Sequence, residues 1–282
     1  MNADDLGLHP AVQRAVEHCA QLGTITSASV LANGPHVEQV RSIPGVSLGA
    51  HLNVLRGTPL SPASEVRSLV DANGRFVGTF TALWSRLAFG KLALEEVELE
   101  WGRQVESLLS RGFALSHIDG EKHTHCLPGL FEVACRVAER FSIPWIRRSE
   151  ERFGCATWDL GLLRKRLLHH WCAKTRTHTT HTSSADSVWG IAHQGVALTP
   201  QRAAHAFRGA ERGSIIEIVC HPGLVSKLDP CLDPSFGKMK VARLWRPEFE
   251  SLSESSWLAT AVRERWTLTG FDRLNTTQRE HA

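Results

Sequence analysis

Tyrosine is absent from the sequence, methionine occurs only twice, and no two of the seven cysteines form a C-x-x-C pair. An odd cysteine count without such a pair argues against a disulfide framework and against a structural zinc module, and it points to a reducing, cytoplasmic setting. No apolar run approaches the roughly 20 residues that span a bilayer. The chain does not open with a basic segment followed by an apolar one, so neither a membrane span nor a signal peptide is expected. An excess of one charge is also missing. The formal net charge is +3, and the basic residues are scattered apart from Arg147-Arg148 and Arg164-Lys165-Arg166, which argues against a nucleic-acid partner. No Gly-rich phosphate loop occurs, which argues against nucleotide binding. Tryptophan, by contrast, occurs 9 times, and no function follows from that number.

What is present is ordinary for a globular protein: 42% hydrophobic and 22% charged residues over 282 positions, enough to bury a sizeable core. No internal repeat and no linker divides the chain, so a single domain over 1–282 is expected. Helix-like and strand-like patterns alternate, which favours α/β architecture with a largely parallel sheet. Helices are expected over His9–Leu22, Leu92–Arg111, Pro128–Phe141, Leu160–Ala173 and Thr199–Phe207. Strands are expected over Ile25–Leu31, Val46–Leu52, Phe113–Asp119, Ile143–Ile146 and Ser214–Cys220, with a last element at Leu268–Leu274. Arg56–Thr81 reads as a long surface loop of the kind that often borders a site. Thr175–Asp186, with His178 and His181 among threonines and serines, reads as a solvated loop rather than a metal tract.

Four segments concentrate chemistry at strand ends. They are Asn2-Ala3-Asp4-Asp5-Leu6-Gly7, then Gly49-Ala50-His51-Leu52-Asn53, then Ser116 to His125 (S-H-I-D-G-E-K-H-T-H), then Glu217 to Gly223 (E-I-V-C-H-P-G). Singly, each has a plain explanation: a solvated acidic turn, a packed histidine, a Pro-Gly turn. Only the third is hard to explain structurally, because a strand end would hold six titratable groups against mutual repulsion. On successive strand ends of an α/β fold, however, the four converge on one face. Oxygen and nitrogen ligands without thiolate suit Zn²⁺, Mn²⁺, Mg²⁺ or a similar divalent ion. Such an ion polarises a carbonyl and activates water, a carboxylate takes the proton, and an imidazolium delivers one to a leaving amine. Adjacent residues on an extended strand point oppositely, so Asp4 and Asp5 are expected to face different ways. The chain also begins almost directly on these carboxylates, with no apolar strand before them. Either that strand is missing or it lies upstream of Met1, and without it the pair would be poorly anchored.

The motifs N-A-D-D-L-G-L, S-L-G-A-H-L-N-V, S-H-I-D-G-E-K-H-T-H-x-L-P and E-I-V-C-H-P-G resemble, in order and spacing, those of the YdjC-like carbohydrate deacetylases. That family includes chitooligosaccharide and hopanoid-associated deacetylases. The likeness runs from residue 2 to about residue 223 and more weakly beyond. It implies an α/β fold, a distorted (β/α) barrel related to polysaccharide deacetylases, and a divalent metal (Mg²⁺, Zn²⁺, Mn²⁺ or Co²⁺). It also implies hydrolysis of an N-acetyl group from an amino sugar or glycoconjugate. By position, Asp4 resembles the catalytic base and His221 a catalytic acid or oxyanion stabiliser, while Asp5 and His51 resemble metal ligands. Arg147 occupies a place where the family tends to have an arginine near the site, and His123 and His125 fall in its His-rich segment; Asn53 and Asp119, within the same motifs, are further candidates for binding substrate or supporting the ligands.

The sequence departs from the family at Glu121, where the third ligand is usually a histidine. A carboxylate there adds negative charge and favours a harder metal; alternatively, His123 takes the ligand role. Two other readings stay open: a different metal-dependent amide or ester hydrolase on the same scaffold, and an inert sugar-binding relative. The particular sugar, the native metal and a homodimeric state are not fixed by the sequence.

Overall fold

The acidic pair lies inside a strand, not ahead of one. In the computed structural model, which describes residues 1–153, 166–172, 182–236 and 240–274, strand β1 spans Asn2–Leu6 and is buried throughout. It pairs in parallel with β2 (Ser27–Val30) on one side and β7 (Ile216–Cys220) on the other. The expectation of a missing first strand is therefore corrected. The strand is short and consists of the motif itself, which a sheet covered on both sides accepts because burial removes the usual alternation. The Met1 backbone secures it: its amino group donates to Thr26 Oγ1 at 2.9 Å, and its carbonyl accepts from Thr26 and Ser27.

Strands β3 (Ser47–Leu52), β4 (Leu115–Gly120), β5 (Trp145–Ile146) and β6 (Ser187–Trp189) complete a seven-stranded sheet in the order β5-β4-β3-β2-β1-β7-β6. Every ladder is parallel, and the sheet curls into a half-barrel, the expected architecture. Segment 183–189 links its two edges. Ser183 bridges Trp145 on one side, and the Val188 N–H donates to the Glu150 carbonyl at 3.0 Å.

The helices are α1 (Pro10–Gln21), α2 (Phe80–Ala88), α3 (Leu94–Ser110), α4 (Leu130–Arg140), α5 (166–172), α6 (Pro200–Ala206), α7 (Lys240–Ser253) and α8 (Ser256–Glu264). His9 caps α1 by accepting the Ala11 N–H, and Pro10 fills the first turn, where its missing donor costs nothing. Val12, Val16 and Cys19 face the core, but Leu22 caps the helix in solvent. In α3 the buried stripe is Val97, Trp101, Val105 and Leu108, and Leu109 lies outside it. Burying each such aliphatic side chain contributes about 1.5–3 kcal/mol. Four of the tryptophans, Trp101, Trp145, Trp189 and Trp257, are fully buried core residues.

Segment 56–79 is a loop, but a pinned one. The buried Glu100 carboxylate accepts the N–H groups of Leu60 and Ser61 at 3.0 and 2.9 Å, and Glu96 accepts that of Ser68 at 2.7 Å. Its own Val66, Leu69 and Phe76 are buried. The expected last element is a short 3₁₀ turn, Phe271–Arg273. Of the polar segment Thr175–Asp186, His178 and His181 lie outside the described residues.

Candidate metal centre and active site

β1 does not run straight through its acidic pair. Ala3 pairs with Ala28 and Leu6 with Val30, so β1 carries one extra residue at Asp4-Asp5, a bulge. Asp5 has φ 72°, in the left-handed region that Asp tolerates better than most residues at a cost of about 1–3 kcal/mol. The two side chains therefore do not alternate across the sheet as expected. Both reach the same end of it.

At that end, His51 on β3 stands directly opposite Asp119 on β4, and their Nδ1 and Oδ1 atoms are 2.7 Å apart. An Nδ1–H donated to this carboxylate leaves the Nε2 lone pair facing outward. Asp5 Oδ1 lies 3.6 Å and Glu121 Oε2 3.5 Å from that Nε2. The ligand atoms of Asp5, His51 and Glu121 all lie within 4.8 Å of one another, and all three residues are buried. Asp4, His51 and Asp119 form a second grouping of this kind, but there Asp119 already holds the back of the imidazole and Arg147 engages both carboxylates. The first trio is the better fit for a divalent cation: one imidazole nitrogen, two oxygens, and an orienting carboxylate behind the ring.

The electrostatics of the trio agree with that fit. Burial and then the charge of Glu121 push Asp5 up to about 6, against the pull of His51. Burial alone would also raise Glu121, yet its bond to His51 and the charge of Arg56 bring it below the ordinary carboxylate value. Burial would lower His51, but Asp119 and Glu121 hold it well above the usual imidazole value. Two carboxylates crowded onto one imidazole edge form a donor set that a cation completes.

Beside the trio, Arg147 follows β5 and is fully buried among three carboxylates. Its Nη1 and Nη2 donate to the two oxygens of Asp4, each at 2.7 Å. Nε and Nη2 reach Glu217 Oε1 at 2.9 and 2.7 Å, and Nη2 lies 2.7 Å from Asp119 Oδ2. Burial would raise Asp4; the guanidinium outweighs it and holds Asp4 well below the carboxylate range. Asn2 Nδ2 adds a bond to Asp4 Oδ1 at 2.9 Å, and Ser29 Oγ donates to Asp119 Oδ2 at 2.6 Å.

His221 lies just past β7, with Nε2 3.9 Å from Asp4 Oδ2 and Nδ1 3.9 Å from Glu248 Oε2. Glu248, buried on α7, also accepts the backbone N–H groups of His221 and Gly195. Burial raises its carboxyl above the ordinary value, against His221 and those two bonds.

The remaining expected residues support the site without facing the trio. Gly120 precedes Glu121, and a Cβ there would meet His125 Nδ1 at 2.8 Å. Lys122 and His123 then turn through φ 50° and 58°. That turn carries His123 away to Ser149 Oγ, 2.9 Å from its Nδ1, so Glu121 is the member of the trio and His123 is not. His125 Nε2 lies 2.9 Å from the Arg147 carbonyl and so braces that residue's backbone. Asn53 Oδ1 accepts the N–H groups of Leu55 and Arg56, and its Nδ2 donates to the Arg56 carbonyl at 2.8 Å. It shapes the start of the pinned loop. Sequence reasoning missed Arg56, whose Nε is 3.3 Å from Glu121 Oε1, along with Glu217, Ser29 and Glu248. Only Glu217, inside the fourth motif, carried any local signal.

A carbohydrate deacetylase of Listeria innocua serovar 6a is 36% identical over 153 residues, covering 53% of this chain and 60% of that protein. A carbohydrate deacetylase of Oceanobacillus iheyensis is 34% identical over 148 residues, covering 51% and 62%. The chain thus spans about 60% of the length of these relatives. Among solved structures, an Enterococcus faecalis V583 protein with a proposed role in cellobiose-phosphate cleavage superposes with a TM-score of 0.70. It covers 96% of both chains at 22% identity, a likeness of fold. The model of the YdjC-like protein family matches residues 1–262, and the chain belongs to that family.

Proposed function

We propose that this chain is a metal-dependent hydrolase that removes the N-acetyl group from an amino sugar or glycoconjugate. The observation that carries this reading is the buried trio Asp5, His51 and Glu121 beside the Asp4–Arg147 pair and His221. Two relatives named carbohydrate deacetylases support the substrate class. Asp5, His51 and Glu121 would hold the ion. When bound, a divalent cation at such a site polarises the amide carbonyl and activates water. Zn²⁺, Mn²⁺, Mg²⁺ and Co²⁺ all suit the donor set.

The chain's own residues divide the remaining work. Asp119 fixes the His51 tautomer. Arg147 holds Asp4 in its ionised form in the resting site, and Asp4 takes the proton of the attacking water at Oδ2, the oxygen 3.9 Å from His221 Nε2. Arg147 fixes the direction of that carboxylate. His221 delivers a proton to the departing amine, held by Glu248 through its backbone N–H. A cytoplasmic location is part of this reading and rests on the odd cysteine count of the sequence. No helix among the described residues is long and apolar enough to cross a membrane.

The test is acetate release from a panel of N-acetylated mono- and oligosaccharides by protein loaded with each of the four metals. Acetate from at least one sugar is expected. A folded, metal-loaded protein that releases acetate only from non-sugar amides or esters would move the assignment to another hydrolase, and one that binds sugar without turnover would make it an inert relative.

A further inference from the structure

The two oxygens of Glu121 face different partners. Oε2 lies 3.5 Å from His51 Nε2, on the side of the trio, whereas Oε1 lies 3.3 Å from Arg56 Nε. Arg56 is held in place at several points. Its Nη1 donates to the Phe236 carbonyl at 2.7 Å, its backbone N–H donates to Asn53 Oδ1 at 3.1 Å, and its carbonyl accepts from Asn33 Nδ2 at 3.0 Å and Asn53 Nδ2 at 2.8 Å. Gly57 follows with φ 76°, and a Cβ there would sit 2.9 Å from the Phe236 ring, so the loop closes tightly on that ring. The guanidinium is thus a fixed charge on one oxygen of the carboxylate that replaces the family's usual histidine.

We infer that Arg56 is a positioning residue whose charge draws Glu121 Oε1 away from the metal side, leaving Oε2 as the metal-facing oxygen, and so favours a small, low-coordination cation over a large one. The inference rests on the reading of Asp5, His51 and Glu121 as metal ligands. Two carboxylates cancel the charge of a divalent ion, and Arg56 restores one positive charge. The site then matches one built from one carboxylate and two imidazoles. The guanidinium charge beside Oε1 competes with an ion for that oxygen and disfavours chelation through both oxygens. Calcium draws on 6–8 oxygens and readily takes carboxylates in that bidentate manner, whereas zinc is satisfied by four ligands in a compact tetrahedron. Arg56 therefore limits the shift toward harder cations that a glutamate at this position would otherwise bring.

Calorimetric titration with Zn²⁺ and with Ca²⁺ tests this on the wild type, Arg56→Gln, Glu121→His and the double variant. Comparing the ratio of the two affinities cancels the general effect of removing a positive charge. In Arg56→Gln the Ca²⁺ to Zn²⁺ affinity ratio is expected to rise about tenfold. With histidine at position 121 there is no second oxygen to release, so Arg56→Gln should leave the ratio unchanged. An unchanged ratio in the single variant, or an equal rise in the Glu121→His background, overturns the inference. If Arg56→Gln fails to fold, Arg56→Met, which keeps the aliphatic stem, is read by the same criteria. A wild type that binds neither ion removes the metal reading and this inference with it, an outcome distinct from metal binding with an unchanged ratio.

Discussion

His51 and Asp119 face each other across adjacent parallel strands, with Nδ1 and Oδ1 2.7 Å apart. This contact fixes which imidazole nitrogen points at Asp5 and Glu121. Asp119→Asn preserves shape but allows the amide to present either a donor or an acceptor. Removing an orienting carboxylate of this kind lowers metal affinity by about 10–100-fold. Zn²⁺ titration of the variant against the wild type measures the loss, and equal affinities would mean that Asp119 serves only Arg147.

Asp4 is separated from the metal-holding role by its bidentate pairing with Arg147. Asp4→Asn should therefore leave the ion bound while turnover falls by about 10²–10⁴-fold, the span of a lost general base. Metal content by elemental analysis and acetate release on the same preparation check both halves. Full activity in Asp4→Asn would remove the proton-accepting role from this residue.

Arg147 is buried against Asp4, Asp119 and Glu217, so its removal leaves carboxylates without their shared partner in a dry environment. Arg147→Met is expected to destabilise the fold by about 3–5 kcal/mol, as breaking a buried ion pair generally does. Urea denaturation measures this. A loss under about 1 kcal/mol, the value of an exposed pair, would show that water reaches the cluster.

His117 gives a pH dependence of stability separate from turnover. It lies between Ser29 Oγ and Ser116 Oγ, at 3.3 and 2.9 Å, and stacks on Phe271 with ring centroids 4.3 Å apart. Burial first, with Arg147 adding to it against Asp119, pushes its imidazole down to about 4 from 6.5. The unfolded chain therefore binds this proton more readily than the folded one. The contribution is fully present above pH 6.5 and is lost progressively as the pH falls toward 4, to a total of about 3 kcal/mol. Denaturation of the wild type and His117→Gln between pH 7.5 and 4 should show the wild type losing more stability by that order. Parallel curves would contradict the assignment.

The parts of the site legible in sequence were those whose chemistry sits beside a strand signal. His51 lies at the end of β3 next to Leu52, Asp119 lies near the end of β4 with Glu121 just past it, and His221 follows β7, so pattern and residue type agreed within a few positions. The bulge at Asp4-Asp5 was not legible, because it depends on pairing between β1 and β2 and on a left-handed Asp5 that no composition signals. Arg56 and Glu248 come from a loop and a helix whose local sequences look solvent-facing; long-range packing brings them in. Strand β6, three residues long, is too short for periodicity to register, and Pro247 inside α7 hides that helix from a reader who treats proline as a stop.

The central claim is that hydrolysis runs at the trio of Asp5, His51 and Glu121, and its most direct test is acetate release measured against metal occupancy in one preparation. Release should rise in proportion to bound ion up to one per chain, fall to background when a chelator strips the protein, and stay at background in His51→Gln. Release that persists in stripped protein, or none from any N-acetylated sugar at full occupancy, would contradict the claim.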